Sequence, residues 1–125
     1  MNITPKTVKR TLKKTVKEIS SNPQIFAKNP EKDFIRRRKL PADKMMYSVL
    51  SMSSKDLKCE LMYFFDMDKN MPTVSAFVQQ RNKISVTAFE TLFHKFTESF
   101  PQQKLYKGYR LLAVDGSDLH TPTNP

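Results

Sequence analysis

The apolar residues of this chain recur mainly three and four positions apart, which is the spacing of amphipathic helices. Thr4 and Pro5 predict the beginning of a first helix that ends near residues 20–23, because threonine is a favoured N-cap and proline suits the first helical turn. Further helices are predicted to begin near Pro41, at the capping-box sequence of residues 53–56, at residues 72–73 and at Ser85. The apolar residues that these helices are expected to bury are Val8, Leu12, Val16, Ile19, Met45, Met46, Val49, Leu50, Leu57, Leu61, Phe64, Phe65, Val74, Phe77, Val78, Phe89, Leu92, Phe93, Phe96 and Phe100.

Two parts of the chain depart from helical spacing. Residues 22–41 contain three prolines and predict a linker whose apolar anchors are Phe26, Phe34 and Ile35. Residues 111–114 form a short continuous apolar run, and its length and flanking residues predict a strand that is buried on both faces.

Asp115 and Gly116 follow this apolar run directly. Asp-Gly is a common hairpin turn, and the spacing alone favours that interpretation. A carboxylate at the end of a central strand is also where metal-dependent phosphoryl-transfer enzymes place a metal ligand. Asp118 is then either a second ligand or a turn residue.

The positive charge of the chain is concentrated near its beginning. The formal net charge is +10, and residues 1–40 hold 12 basic and 3 acidic residues, a net of +9. This clustering favours a polyanionic partner, most commonly a nucleic acid, although a basic surface that keeps a protein soluble has the same composition. The candidate contacts in this segment are Lys6, Arg10, Lys13, Lys14, Lys17, Arg36, Arg37, Arg38 and Lys39.

The first helix has three interpretations that the pattern leaves open. It can pack its apolar stripe on the body and offer lysines to phosphates, lie on a membrane, or be an ordinary surface helix. Its apolar stripe contains no aromatic residue, which argues against the membrane. No apolar run is long enough for a membrane span, and the first residues lack the apolar region of a secretory signal. We therefore expect a cytoplasmic, nucleoid-associated bacterial protein with no membrane partner.

Two other protein classes are excluded by composition. The single cysteine, Cys59, cannot form an intrachain disulfide, so the chain is not a disulfide-stapled secreted scaffold. The two glycines, Gly108 and Gly116, are too few for a glycine-rich nucleotide-binding loop.

The helix predicted over residues 73–83 carries side chains that read base edges and hold phosphates. Together with the helix and turn before it, this polar set resembles a helix-turn-helix. Arg81 lies on the apolar side of the helix and is expected to be half-buried and paired with a carboxylate, and His94 is expected to be exposed on its own helix. The candidate DNA contacts on the 73–83 helix are Gln79, Gln80, Asn82 and Lys83.

Three segments together resemble a known family. They are residues 50–57 (LSMSSKDL), 73–84 (TVSAFVQQRNKI) and 106–117 (YKGYRLLAVDGS). They are similar to the bacterial insertion-sequence-four transposases, DDE-type enzymes with a ribonuclease-H-like catalytic domain, and the resemblance runs over most of residues 40–125. It implies a mainly α chain: a basic arm and linker over 1–40, a helical DNA-binding-like domain over 41–104, and the first strand of a truncated ribonuclease-H-like α/β domain over 105–125. About four to five helices are expected in the helical N-terminal region.

The resemblance also implies a chemistry, which is metal-dependent cleavage and strand transfer of DNA. Asp115 is by resemblance the first acid of the catalytic triad and a ligand of Mg²⁺ or Mn²⁺. One aspartate cannot hold the two ions of such a site, and the other two acids of the family would lie beyond residue 125. We therefore expect this chain to be inactive alone and to bind no metal tightly.

The expected function is DNA binding at transposon ends by the N-terminal portion of a transposase, with a homo-oligomer or an intact transposase as a further partner. A first alternative is a regulatory remnant without enzymatic activity that competes with intact transposase. A second is a basic module that binds anionic lipid or an acidic protein.

Overall fold

The computed structural model describes residues 3–36, 39–101, 105–111, 113 and 116. This part of the chain is mainly helical, as the sequence predicts. Its β structure amounts to two isolated antiparallel bridges, Ala27 with Ile84 and Tyr106 with Tyr109. Within it, no helix is long and apolar enough to cross a membrane. The helices are α1 (Pro5–Ser20), α2 (Pro23–Phe26), α3 (Ala42–Ser51), α4 (Leu57–Phe64), α5 (Val74–Arg81) and α6 (Val86–Glu98).

Helix α1 begins at the predicted cap and is part of the core. The hydroxyl oxygen of Thr4 accepts a hydrogen bond of 3.2 Å from the backbone N–H of Thr7. Val16 and Ile19 from the predicted apolar stripe are fully buried, and the helix packs against α6, α2 and α3. Helix α1 therefore shares one core with the later helices.

The core lies between α1, α3 and the second half of the chain. Its largest fully buried side chains include Phe77 of α5, Met45 and Met46 of α3, and Leu61 of α4. Helix α6 contributes Ala88 and Leu92. Since the spacing of apolar residues in α3 to α6 predicted most of these positions, the helical pattern is confirmed.

Some residues that were expected to be buried are instead exposed. Phe93 is 64% exposed and Ile35 is 66% exposed, whereas Leu50 and Val74 are 46% and 37% exposed. On α6 the buried face is centred on Leu92, so Phe93 falls at the edge that no other described element covers. A periodic pattern gives the apolar side of a helix but not how much of that side a neighbour covers.

The segment predicted as a linker is hydrogen-bonded to the turn between α5 and α6. It includes the short helix α2, whose Phe26 is buried and lies 5.4 Å from the ring of Phe34. The N–H of Ser85 donates to the carbonyl of Phe26 at 2.7 Å, and the N–H of Lys28 donates to the carbonyl of Lys83 at 2.9 Å. Phe26 and Phe34 are therefore the apolar anchors that the sequence predicted.

Helix α4 begins differently from the predicted capping box. Its N-cap is Asp56, whose side chain makes no capping hydrogen bond. Instead the carboxylate of the buried Glu60 accepts hydrogen bonds from the N–H and hydroxyl of Ser53, at 2.8 and 2.9 Å, and from the N–H of Lys55 at 3.1 Å. The stabilising carboxylate thus comes from inside α4, because the turn of residues 53–56 folds back over its first turn.

The predicted strand of residues 111–114 is not seen in the described residues. Leu111 is 71% exposed, and neither Leu111 nor Ala113 belongs to a strand. Leu112, Val114 and Asp115 lie outside the residues that the structure describes, so the start of a ribonuclease-H-like domain stays a prediction.

Just before this segment the chain forms a tight hairpin turn. Tyr106 and Tyr109 exchange two backbone hydrogen bonds of 2.9 Å. Lys107 and Gly108 between them have φ angles of 49° and 81°, and positive φ at both central positions is typical of a type I′ turn.

Candidate nucleic-acid interface

The predicted basic face of α1 is exposed along its whole length, because the apolar stripe opposite it is buried against the other helices. Lys14 lies in a groove beside Glu18, Lys95 and Glu98, where the charges are mixed. Lys95 donates a hydrogen bond to Glu18, and this contact, together with the positive charge of Lys95, lowers the pKa of the Glu18 carboxyl. The exposed cations of α1 are the predicted Lys6, Arg10, Lys13, Lys14 and Lys17, together with Lys9.

The basic run of residues 36–39, inside the predicted linker, is described only at its ends. Arg36 and Lys39 are both exposed, whereas Arg37 and Arg38 lie outside the described residues. Lys44, on the first turn of α3, lines the same groove as Arg36 and Lys39. The sequence prediction did not include Lys44, because a single lysine in an amphipathic helix carries no distinguishing signal.

The predicted contact residues of α5 do not all face solvent equally. Gln79 and Asn82 are exposed, whereas Gln80 and Lys83 are half-buried. The side-chain amide of Gln80 donates a hydrogen bond of 3.3 Å to the backbone carbonyl of Leu40. Gln80 therefore ties α5 to residues 39–40, a positioning role that local sequence did not reveal.

The expectation for Arg81 is wrong. Its side chain is exposed and forms no ion pair with a carboxylate in the described part of the chain. The last turn of α5 ends at Arg81 and opens into the connection to α6, so the residue projects from the end of the helix into solvent. His94 is exposed, as predicted.

Helix α5 and residues 39–40 enclose a groove of ≈ 280 Å³, which we call the α5 groove. It brings Lys39 of the basic run together with Gln79, Gln80 and Lys83, three of the four residues predicted on α5. Asn82 does not line it. The other lining residues are Leu40, Met71, Pro72, Thr73 and Ala76.

A second groove, of ≈ 490 Å³, lies beside the first, and we call it the 34–44 groove. Lys39 lines both grooves, so they adjoin at this residue. The 34–44 groove carries two further cations, Arg36 and Lys44, and one carboxylate, Asp43. Its remaining lining residues are Ser20, Phe26, Phe34, Ile35, Pro41 and Ala42.

The α4–α5 pair differs from a helix-turn-helix. The connection spans residues 65–73, which is longer than the turn of about three to four residues in that motif. It includes Asp66 and Met67, which both have positive φ angles. A shorter connection, residues 82–85, joins α5 to α6, but the exposed face of α6 carries Glu90 and Glu98, which repel phosphates.

Among the described residues, no group of three His, Cys, Asp or Glu side chains is placed to hold a metal ion, and Asp115 lies outside them. A hydrogen bond to Asp56 and partial burial raise the pKa of the Cys59 thiol, so it is a weak nucleophile. The described cations and amides instead suit non-covalent binding of a polyanion.

No protein-family model matches this chain, and no characterised protein or solved structure is significantly similar to it. The resemblance of the three segments to transposases therefore depends on their residues alone.

Proposed function

We propose that this chain binds DNA as the N-terminal portion of a transposase of the insertion-sequence-four type. The observation that carries this proposal is the α5 groove, where Lys39 meets Gln79 and Lys83. Glutamine pairs with the donor and acceptor of an adenine edge, and lysine holds phosphates. Gln79 and Lys83 thus provide one contact of each kind on a single helix.

The basic face of α1 is a second, independent observation that supports the proposal. Its cations are exposed and lie on a helix whose other side is buried, so the backbone that carries them has a fixed place on the body. Such a face attracts DNA without regard to sequence, because each phosphate contact releases condensed counterions. We assign affinity mainly to these cations and sequence preference to α5.

Asp115 enters the proposal only through the resemblance. Cleavage and strand transfer would need its carboxylate together with two further acids to hold a pair of Mg²⁺ or Mn²⁺ ions. We assign Asp115 the role of first metal ligand in a complete parent enzyme, and DNA binding without cleavage to the chain of 125 residues.

The test is a titration of labelled duplex DNA, taken from the sequence that flanks the gene, at several salt concentrations. We expect binding that weakens by orders of magnitude between about 50 and 200 mM salt. Lys39→Gln and Lys83→Gln should each lower the salt slope by about one, since each removes one phosphate contact. Lys107→Gln is the matched control, because Lys107 is an exposed lysine of the hairpin outside both grooves.

Gln79→Ala separates sequence reading from affinity. It should reduce the ratio of the affinities for flanking and unrelated duplexes by about five- to 150-fold, because one good base contact is worth about 1–3 kcal/mol. Its affinity for unrelated duplex should stay unchanged. The proposal fails if the wild-type chain binds no duplex at low salt, or if Lys107→Gln lowers the slope as much as Lys39→Gln does.

A further inference from the structure

The 34–44 groove has an apolar wall as well as a charged one. Phe34 lines it with a half-buried ring that meets the buried Phe26 edge to face, at 5.4 Å between ring centroids. Phe34 has a φ of 61°, in the left-handed region that bulky residues seldom adopt. Ile35 adds an exposed apolar side chain at the rim. The chain thus holds a flat ring and an aliphatic side chain at the surface, at a cost in backbone strain.

The charged wall of the same groove is strongly positive. Arg36, Lys39 and Lys44 line it and are exposed, and the one carboxylate among its lining residues is Asp43. None of the three cations forms an ion pair with a carboxylate of the described residues. The ammonium of Lys44 lies 5.5 Å from the ring centroid of Phe65, which is outside the groove, and must leave this ring to reach an anion there. Arg36 and Lys39 have no ion-pair partner among the described residues and can neutralise such an anion directly.

An aromatic ring beside unpaired cations is the combination that binds single strands, because a base stacks on the ring while cations follow the backbone. Bases in a duplex are already stacked and cannot reach such a wall without being unpaired.

We propose that the 34–44 groove binds an unpaired nucleotide of single-stranded DNA. The base lies against Phe34 and Ile35, and the phosphates contact Arg36, Lys39 and Lys44. The inference rests on the proposed DNA binding. Lys39 lines both grooves, so the end of a duplex bound at α5 lies next to the 34–44 groove.

The test compares a blunt duplex with the same duplex extended by a short single-stranded run of thymidines, by fluorescence anisotropy. We expect the wild-type chain to bind the extended duplex about tenfold more tightly than the blunt one. Phe34→Asn should remove this advantage, since asparagine tolerates a positive φ but has no ring. Its affinity for the blunt duplex should be unchanged.

A second variant covers the case in which Phe34→Asn unfolds. Ile35 is exposed, so Ile35→Ser leaves the core intact and should reduce the advantage of the extended duplex severalfold. Val86→Ser is the matched control, because Val86 is also an exposed β-branched residue but lies on α6.

The outcomes distinguish this inference from the proposed function. Equal binding of blunt and extended duplexes would overturn the inference and leave duplex binding on α5 intact. Loss of the advantage in Val86→Ser as well as in Ile35→Ser would also overturn it. Binding of neither duplex would overturn the proposed function, whereas binding of anionic lipid vesicles that depends on Ile35 would replace the nucleotide with a lipid surface.

Discussion

Glu60 is the residue that holds the beginning of α4 in place. Its carboxylate accepts three hydrogen bonds from the turn of residues 53–55, and two of the three donors are backbone N–H groups. These donors lower the pKa of the Glu60 carboxyl, chiefly through the N–H of Ser53. A buried group with this many partners leaves several donors unpaired when it is removed.

We expect Glu60→Gln to lower the melting temperature near neutral pH. The folded-state pKa of Glu60 is below its ordinary value, so its contribution is complete above about pH 4.3 and is lost as the pH falls towards the lowered pKa. The difference in melting temperature between wild type and variant should therefore shrink on acidification. Thermal melts followed by circular dichroism check this prediction between about pH 7 and pH 3, a range that begins above and ends below the ordinary pKa of glutamate.

Glu90→Gln is the control for this experiment. Glu90 is an exposed residue of α6, so its substitution should change the melting temperature little at any pH. The lowered pKa of Glu60 is contradicted if the difference in melting temperature between wild type and Glu60→Gln stays constant down to about pH 3, which is roughly one unit below the ordinary pKa of glutamate.

A buried and an exposed phenylalanine allow the effect of burial on stability to be measured within one residue type. Phe77 is fully buried, whereas Phe93 is mostly exposed. We expect Phe77→Ala to cost about 3–5 kcal/mol, because it removes buried apolar surface and leaves a cavity. Phe93→Ala should cost less than about 1 kcal/mol. Urea denaturation of both variants measures the loss in free energy of unfolding. Similar losses would show that the side of α6 that carries Phe93 is also packed.

The beginnings of α5 and α6 offer a matched comparison at the scale of elements. The hydroxyl of Thr73 accepts a hydrogen bond of 3.1 Å from the N–H of Ala76 and so caps α5. Ser85 occupies the N-cap of α6 but makes no capping bond, and its hydroxyl is instead 2.8 Å from that of Thr87.

We expect Thr73→Ala to destabilise the protein by about 1 kcal/mol, since it removes the cap of α5. Ser85→Ala should cost less, because its hydroxyl makes no capping bond. Equilibrium unfolding in urea gives both values. Equal destabilisation of the two variants would mean that the hydroxyl of Ser85 caps α6 in solution.

Most helix boundaries could be predicted because their signals are local. Thr4, Thr73 and Ser85 all occupy the N-cap positions that the sequence indicates. The short helix α2 was missed, because four residues show no periodicity. Its place depends on backbone hydrogen bonds to residues 83–85, which are distant in sequence and leave no local pattern.

The candidate site could be predicted residue by residue but not as an arrangement. Lys39, Gln79 and Lys83 were identified from their chemistry, and the structure places them in one groove. The contacts that hold residues 39–40 beside α5 include the bond from Gln80 to the carbonyl of Leu40, between residues 40 positions apart. Backbone carbonyls are the same at every residue, so no side-chain pattern marks the acceptor of such a bond.

At the scale of the whole molecule, α1 combines two roles, because it carries cations on one side and core residues on the other. The exposed side carries cations, and the buried side contacts α6, α2 and α3. Deleting residues 1–40 would therefore remove part of the core together with the charge. Substitution of surface cations is the informative experiment.

We expect the triple variant Lys6→Gln, Arg10→Gln, Lys13→Gln to keep its fold, because glutamine is nearly as good a helix former as lysine. Its affinity for duplex DNA should fall, and the salt slope should decrease by about 0.9 for each phosphate that the variant no longer neutralises. Anisotropy titrations at several salt concentrations check the slope, and circular dichroism checks the fold.

A control with the same reduction in charge replaces Lys58, Lys69 and Lys107, which are exposed on α4, on the α4–α5 connection and on the hairpin. This variant should retain the wild-type slope more closely. If the affinity of both triple variants falls equally, net charge alone governs binding and the face of α1 has no special part.

The packing of α1 on α6 has a consequence for how the protein is made. Val16 and Ile19 leave the ribosome early, whereas α6, one of the three helices packed on α1, ends only at Glu98. Until α6 has emerged, the nascent chain carries an apolar stripe that α2 and α3 cover only in part, beside a dense row of lysines. Such a stripe is a binding site for chaperones and a source of aggregation during translation. The last helix of the described fold thus completes the burial of the first.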